Sequence, residues 1–191
     1  MKTGVICIET EWQITTQRNK RSINTEPLMN FLQKLDDVPC IYRRVATRDE
    51  LKYYLKKFHN KEFGNYKIFY FSFHGDTHEI ALEGEKENLS LMELGDMADG
   101  LFEGKFVHFS SCRTLLGSDE NLKDFVECTR AKLVSGYTRS VDTFYSAIHD
   151  IALINELLTS TQIKPLLERM YKLYGGLEKK LGFKTSDELH I

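Results

Sequence analysis

The sequence has no excess of charge, no long apolar run, few cysteines and no glycine-rich phosphate loop. Its 26 Lys and Arg stand against 28 Asp and Glu, a formal net charge of −2. That balance argues against a general nucleic-acid binder, which needs a basic footprint. The local basic stretch of Arg18, Lys20 and Arg21 reads as a solvated loop. No stretch approaches the roughly 20 apolar residues of a membrane-spanning helix, so no membrane partner is expected. The apolar stretch at 4–8 is too short for a secretory signal and has no small-residue cleavage site after it. The four cysteines (Cys7, Cys40, Cys112 and Cys128) form no CxxC pair, so neither a zinc ribbon nor a thioredoxin-type motif is suggested. A reducing cytoplasm is the default setting, and there a free thiol stays available for chemistry. Neither GxGxxG nor GxxxxGKS/T occurs, which counts against a flavodoxin-like nucleotide or flavin binder. Internal repeats and low-complexity segments are also missing.

What is there reads as one domain of alternating elements. A chain of 191 residues is long enough to bury a core without staples. Apolar runs at 5–8, 40–46, 66–73, 105–111 and 131–137 predict buried strands. Between them, Leu28, Phe31, Leu32 and Leu35 mark one helical face, and Leu51, Tyr54, Leu55 and Phe58 mark a second. Thr47 with Glu50, and Ser90 with Glu93, have capping-box spacing. Residues 79–83 and 88–90, around Gly84, read as a hairpin. Helices are further expected over 121–128, over 147–158 and over about 161–181. Strands alternating with helices predict an α/β fold whose mostly parallel sheet is covered on both faces. The domain is expected to span 1–183, followed by a polar tail at 184–191.

The chemistry is expected where two of the strands end. The run at 66–73 leads into His74 and Gly75, and the run at 105–111 leads into Cys112. Sheets of this class carry their sites beyond the carboxyl ends of their strands, and sequential strands tend to be neighbours. An imidazole beside a thiol makes a cysteine nucleophile with its base. The N–H groups of Gly75 and Cys112 fall in the right loops to face a developing oxyanion. Taken singly, each residue has a plainer reading: a strand-end cysteine as a small buried hydrophobe, a strand-end histidine as a hydrogen-bonded structural residue. His108 and Cys112 could share a face, but a metal would need further ligands. Trp12, the lone tryptophan, lies in a long loop as a packing or contact residue.

Beyond these two strand ends, an ordered set of motifs resembles the CHAT family of caspase-like cysteine peptidases, the group that includes separase, gingipain, legumain and the metacaspases. The set runs through residues 71–75, 80–84, 89–94, 107–117 and 133–137 to Val141 and Asp142. It comprises a strand into His-Gly, a short hairpin, a Leu-Ser-x-x-Glu-Leu helix start, and a strand into Ser-Ser-Cys-x-Thr with a glycine close behind. CHAT domains commonly have Ala where Ser111 stands. The resemblance implies a three-layer caspase-like fold and cysteine endopeptidase activity. It implies His74 as general base and acid, Cys112 as nucleophile, and Gly75 and Cys112 as oxyanion donors, with no metal or organic cofactor. In related peptidases the pocket for the residue before the scissile bond draws on the loop after the first strand and the segment after the fifth. Here these would supply Glu9, Glu11 and Asp142, whose charge would favour a basic residue. Asp142 equally fits an N-cap of the next helix, and Arg139 nearby could neutralise such a pocket.

The resemblance further implies a protein or peptide substrate and a regulatory protein partner, in bacterial defence or signalled proteolysis. CHAT domains usually accompany sensor modules, and these 191 residues contain none. The alternative is a catalytically idle interaction module on the same fold.

Overall fold

The computed structural model describes residues 2–11 and 24–189. Five parallel strands form the sheet: β1 (Gly4–Thr10), β2 (Cys40–Val45), β3 (Tyr66–Ser72), then β7 (Phe106–Ser110) and β8 (Leu133–Tyr137). Between β3 and β7 the chain makes a separate antiparallel sheet of β4 (His74–Asp76), β5 (Glu79–Ala81) and β6 (Leu89–Ser90). The main sheet is completed by β9 (Phe183–Thr185), antiparallel to β8, giving the order β2-β1-β3-β7-β8-β9.

Helices cover both faces. On one, α2 (Arg48–Phe58), α3 (Leu91–Ala98) and α4 (Asp119–Thr129) pack Leu51, Leu55, Leu94, Leu122 and Phe125 onto Ile6, Ile8, Phe69, Phe71, Val107 and Phe109. On the other, α1 (Glu26–Asp36), α5 (Thr143–Thr159) and α6 (Ile163–Leu181) pack Met29, Leu32, Leu153, Ile154, Leu166 and Met170 onto Val5, Cys7, Ile68 and Leu133. Alternate residues of each buried strand serve opposite cores, which is why these strands are apolar throughout. Both capping boxes form: the Thr47 hydroxyl accepts from Glu50 N–H, and the Ser90 hydroxyl from Glu93 N–H. The chain is thus α/β, with a mostly parallel sheet between two helical layers. Among the described residues, no helix is long and apolar enough to cross a membrane.

Three expectations need correction. The chain does not leave the domain at Lys184, because Phe183–Thr185 is an edge strand. Phe183 packs at 4.5 Å from the His149 ring, and the Ser186 hydroxyl accepts from Val134 N–H at 3.0 Å. A three-residue polar strand is too short to show a period, so composition alone reads it as tail. The inner face of α1 is Met29 and Leu32, while Phe31 and Leu35 turn outward. The hairpin gains a third strand, β4, which begins at His74 itself.

Candidate functional site at the ends of β3 and β7

β3 and β7 are hydrogen-bonded neighbours, with Ser72 opposite Ser110. His74 and Cys112 each lie two residues beyond this last pair. Both loops are fastened. At the tip of the β4–β5 hairpin, His78 takes a left-handed φ of 58° and donates its N–H to Thr114 O at 3.1 Å. On the other side, Arg113 is also left-handed, at φ 59°. Its N–H donates to Arg139 O at 3.0 Å, and Leu115 N–H donates to Tyr137 O at 3.0 Å. The loop bearing Cys112 is therefore tied to the end of β8.

Gly75 brings the two loops together. A Cβ there would stand 2.5 Å from Cys112 O and would collide with Thr114 Oγ1, whose hydroxyl bonds that of Ser111 at 2.5 Å. Only a glycine allows this approach. The Cys112 Sγ accepts a hydrogen bond from Val141 N–H at 3.4 Å. His74 is exposed and Cys112 half-buried.

Both side chains line one cavity of about 380 Å³ between α1 and α5. Tyr70, Ser72 and Ser110 on the strands line it, with Asn24, Thr25 and Leu28 on the α1 side and Val141, Thr143 and Ser146 on the α5 side. A larger groove of about 660 Å³ runs along α6 and contains neither His74 nor Cys112.

Two buried carboxylates stand behind this cavity. Glu9 is fully buried inside β1, not in the loop beyond it. It accepts from Thr25 N–H at 3.0 Å, from Thr25 Oγ1 at 2.7 Å and from the Tyr42 hydroxyl. Asp150, on α5, is also fully buried. Its Oδ2 accepts from Tyr70 at 2.6 Å and from Ser110 at 2.7 Å; its Oδ1 accepts from His108 Nε2 at 2.8 Å and from the Tyr137 hydroxyl. Burial pushes this carboxyl up, but His108 and the tyrosine hydroxyls outweigh burial and hold it below its ordinary value. The same surroundings push Tyr70 and Tyr137 well up, burial first and Asp150 second.

Ser135, His108 and Asp150 form a hydrogen-bonded series resembling a serine nucleophile, base and orienter, with Ser135 Oγ at 2.9 Å from His108 Nδ1. All three are almost wholly buried, so no substrate reaches Ser135. The series is a core network, and His108 is occupied within it.

A family model matches residues 2–186, and its description reads "Family of unknown function (DUF6642)". The chain belongs to this family. No curated protein matches it.

In this DUF6642 chain, the expected residues divide into two groups. His74, Gly75 and Cys112 are brought together. Glu9, Glu11 and Asp142 are not brought into the cavity lining. Glu11 pairs with Arg44 at 3.1 Å, and the Asp142 carboxylate caps α5 by accepting from Phe144 N–H at 3.0 Å and Tyr145 N–H at 3.1 Å. Trp12 and the basic stretch at 18–21 lie outside the described residues. Asp150 was missed, although Ser146, His149, Asp150, Leu153, Ile154 and Leu157 repeat at the spacing of a single buried helix face.

Proposed function

We propose that the protein is a cysteine endopeptidase of caspase-like architecture that uses His74 and Cys112. The observation that carries this reading is the closure of the two strand ends. The β3–β7 register places both residues equally far beyond the sheet, and Gly75 lies against the Cys112 carbonyl. In the proposed reaction His74 takes the Cys112 proton, and the sulfur attacks the scissile carbonyl carbon. Gly75 and Cys112 N–H groups receive the oxyanion. Collapse breaks the C–N bond, His74 returns the proton to the leaving amine, and a thioester remains. Water, deprotonated by His74, hydrolyses it and restores the thiol.

The side chain before the scissile bond occupies the hydroxyl-lined cavity. A basic residue suits it, because Glu9 and Asp150 lie behind the wall. A protein partner that presents substrate belongs to the same reading, and a reducing, cytoplasmic setting suits four free cysteines.

The test is digestion of a proteome-derived peptide library by the wild-type chain, Cys112→Ala and His74→Ala, with cleavage sites read by mass spectrometry. Cleavage lost in both variants supports the reading. Cleavage that persists in Cys112→Ala sinks it, and a folded wild type that binds protein but cleaves nothing returns the interaction-module alternative.

A further inference from the structure

The polarity of the cavity floor is set from beneath. A hydroxyl has one proton to donate and two lone pairs to accept with. Tyr70 and Ser110 both line the cavity, and both spend that proton on Asp150 Oδ2, at 2.6 and 2.7 Å. The other carboxylate oxygen is filled by His108 and Tyr137. Four donors saturate a carboxylate, which accepts about four hydrogen bonds, so neither Tyr70 nor Ser110 can turn its proton outward without leaving Asp150 short. On the opposite wall the Ser146 hydroxyl donates to Thr143 O at 3.3 Å, so its proton is engaged too.

We propose that Asp150 is a positioning residue that determines specificity: by holding the Tyr70 and Ser110 protons, it leaves the cavity floor lined by acceptors, which selects a substrate side chain carrying its own N–H donors and positive charge. This rests on the peptidase reading, since that cavity adjoins Cys112. It moves the source of the selectivity from Glu11 and Asp142, which are engaged elsewhere, to a buried carboxylate that touches no substrate. An ammonium or guanidinium entering the cavity meets oriented lone pairs with a buried negative charge behind them. A carbonyl or carboxylate meets the same lone pairs and is repelled.

The full 191-residue chain is treated with the chloromethyl ketones of lysine and of norleucine, which differ in the terminal ammonium. Cys112 sulfur displaces chloride from either, forming a thioether, so the rates report on the cavity without turnover. In the wild type the lysine reagent should react faster at Cys112 by about tenfold or more, the worth of a hydrogen bond to a charged group. In Asp150→Asn the amide NH₂ donates to Ser110 and Tyr70, their protons swing toward the cavity, and the ratio should fall close to one. Ser110→Ala removes one acceptor and one of the four donors to Asp150 but keeps the carboxylate itself, and it should lower the ratio severalfold even if Asp150→Asn does not fold. Iodoacetamide labelling of Cys112 should stay within about threefold in both variants, a readout that a merely structural lesion would move. A wild-type ratio near one, or a ratio unchanged in Ser110→Ala, overturns the proposal. A retained ratio in a chain that cleaves no peptide sinks the peptidase reading and leaves this one standing.

Discussion

Gly75 lies so close to Cys112 that a Cβ on it would stand 2.5 Å from the Cys112 carbonyl oxygen. Gly75→Ala must therefore push β4 away from the Cys112 loop, although its backbone is not in a glycine-only conformation. Overpacking of this kind costs about 1–3 kcal/mol. Cleavage, if the peptidase reading holds, should fall far more steeply than stability, because a shift of about an ångström at reacting groups can cost on the order of a hundredfold. Thermal unfolding and peptide turnover, measured on the same preparation, check this. Turnover unaffected by Gly75→Ala would detach the glycine from the chemistry.

The four thiols should not react alike. Burial pushes Cys40 up to about 11 and raises Cys7 further from reach, while burial and then the nearby Asp96 carboxylate raise Cys128. All three are poor thiolates at pH 8. Cys112, half-buried at the cavity and paired with His74 in the proposed dyad, should alkylate first under native conditions. Limited iodoacetamide treatment followed by peptide mapping reads the order, and equal labelling of Cys112 and the exposed Cys128 would count against an activated nucleophile.

The strands that carry the site were legible because β3 and β7 are buried on both faces and so are almost continuously apolar. His74 and Cys112 stood out at the points where those runs stop. The acceptor pocket was less legible for a physical reason. Glu9 sits in a strand whose seven residues are all buried, where a carboxylate survives only by collecting donors from Thr25, Tyr42 and Ser72. Asp150 likewise follows the apolar rhythm of α5, but its partners come from β3, β7 and β8, between 13 and 80 residues away. Only the folded sheet brings them to it. Asp142 shows the converse: its local role as an N-cap was readable from adjacent residues, and that is the role its carboxylate performs.

The Asp150 network should make stability depend on acid in a particular direction. Its carboxyl is held below the ordinary value of about 3.9. The unfolded chain therefore binds more protons in the interval between the folded value and about 3.9. The stabilisation is fully present above about pH 4 and is lost as pH falls through the folded value. Removing one partner of such a buried charge costs roughly 3–5 kcal/mol, so His108→Leu should lower stability by about 3 kcal/mol at pH 7. That deficit should shrink as the carboxyl protonates in strong acid. Urea unfolding of both proteins from pH 7 to pH 2 measures it, and a deficit independent of pH would mean that lost packing, not the ion, is responsible.

Lys105, just before β7, should behave as an unusual amine. Burial, and then Lys67, lowers it from 10.5 to about 8, although its Nζ sits 5.1 Å from the Phe69 ring, which favours the charged form. Unlike most lysines, a large share of it is uncharged and nucleophilic at pH 8, so acetic anhydride at low excess should modify Lys105 before the freely exposed lysines. The sign of its effect on stability follows. Between about 8 and 10.5 the unfolded chain binds the extra proton, so this group's cost to the fold is fully present below about 8. That cost is relieved as pH rises through the window. Lys105→Met keeps the apolar stem over Phe69 and removes the charge. It should stabilise the protein at pH 7 by about 1 kcal/mol, the shift being discounted for partial exposure, and the gain should fade by pH 10. A variant no more stable than wild type at pH 7 would show that the ring repays the buried charge in full.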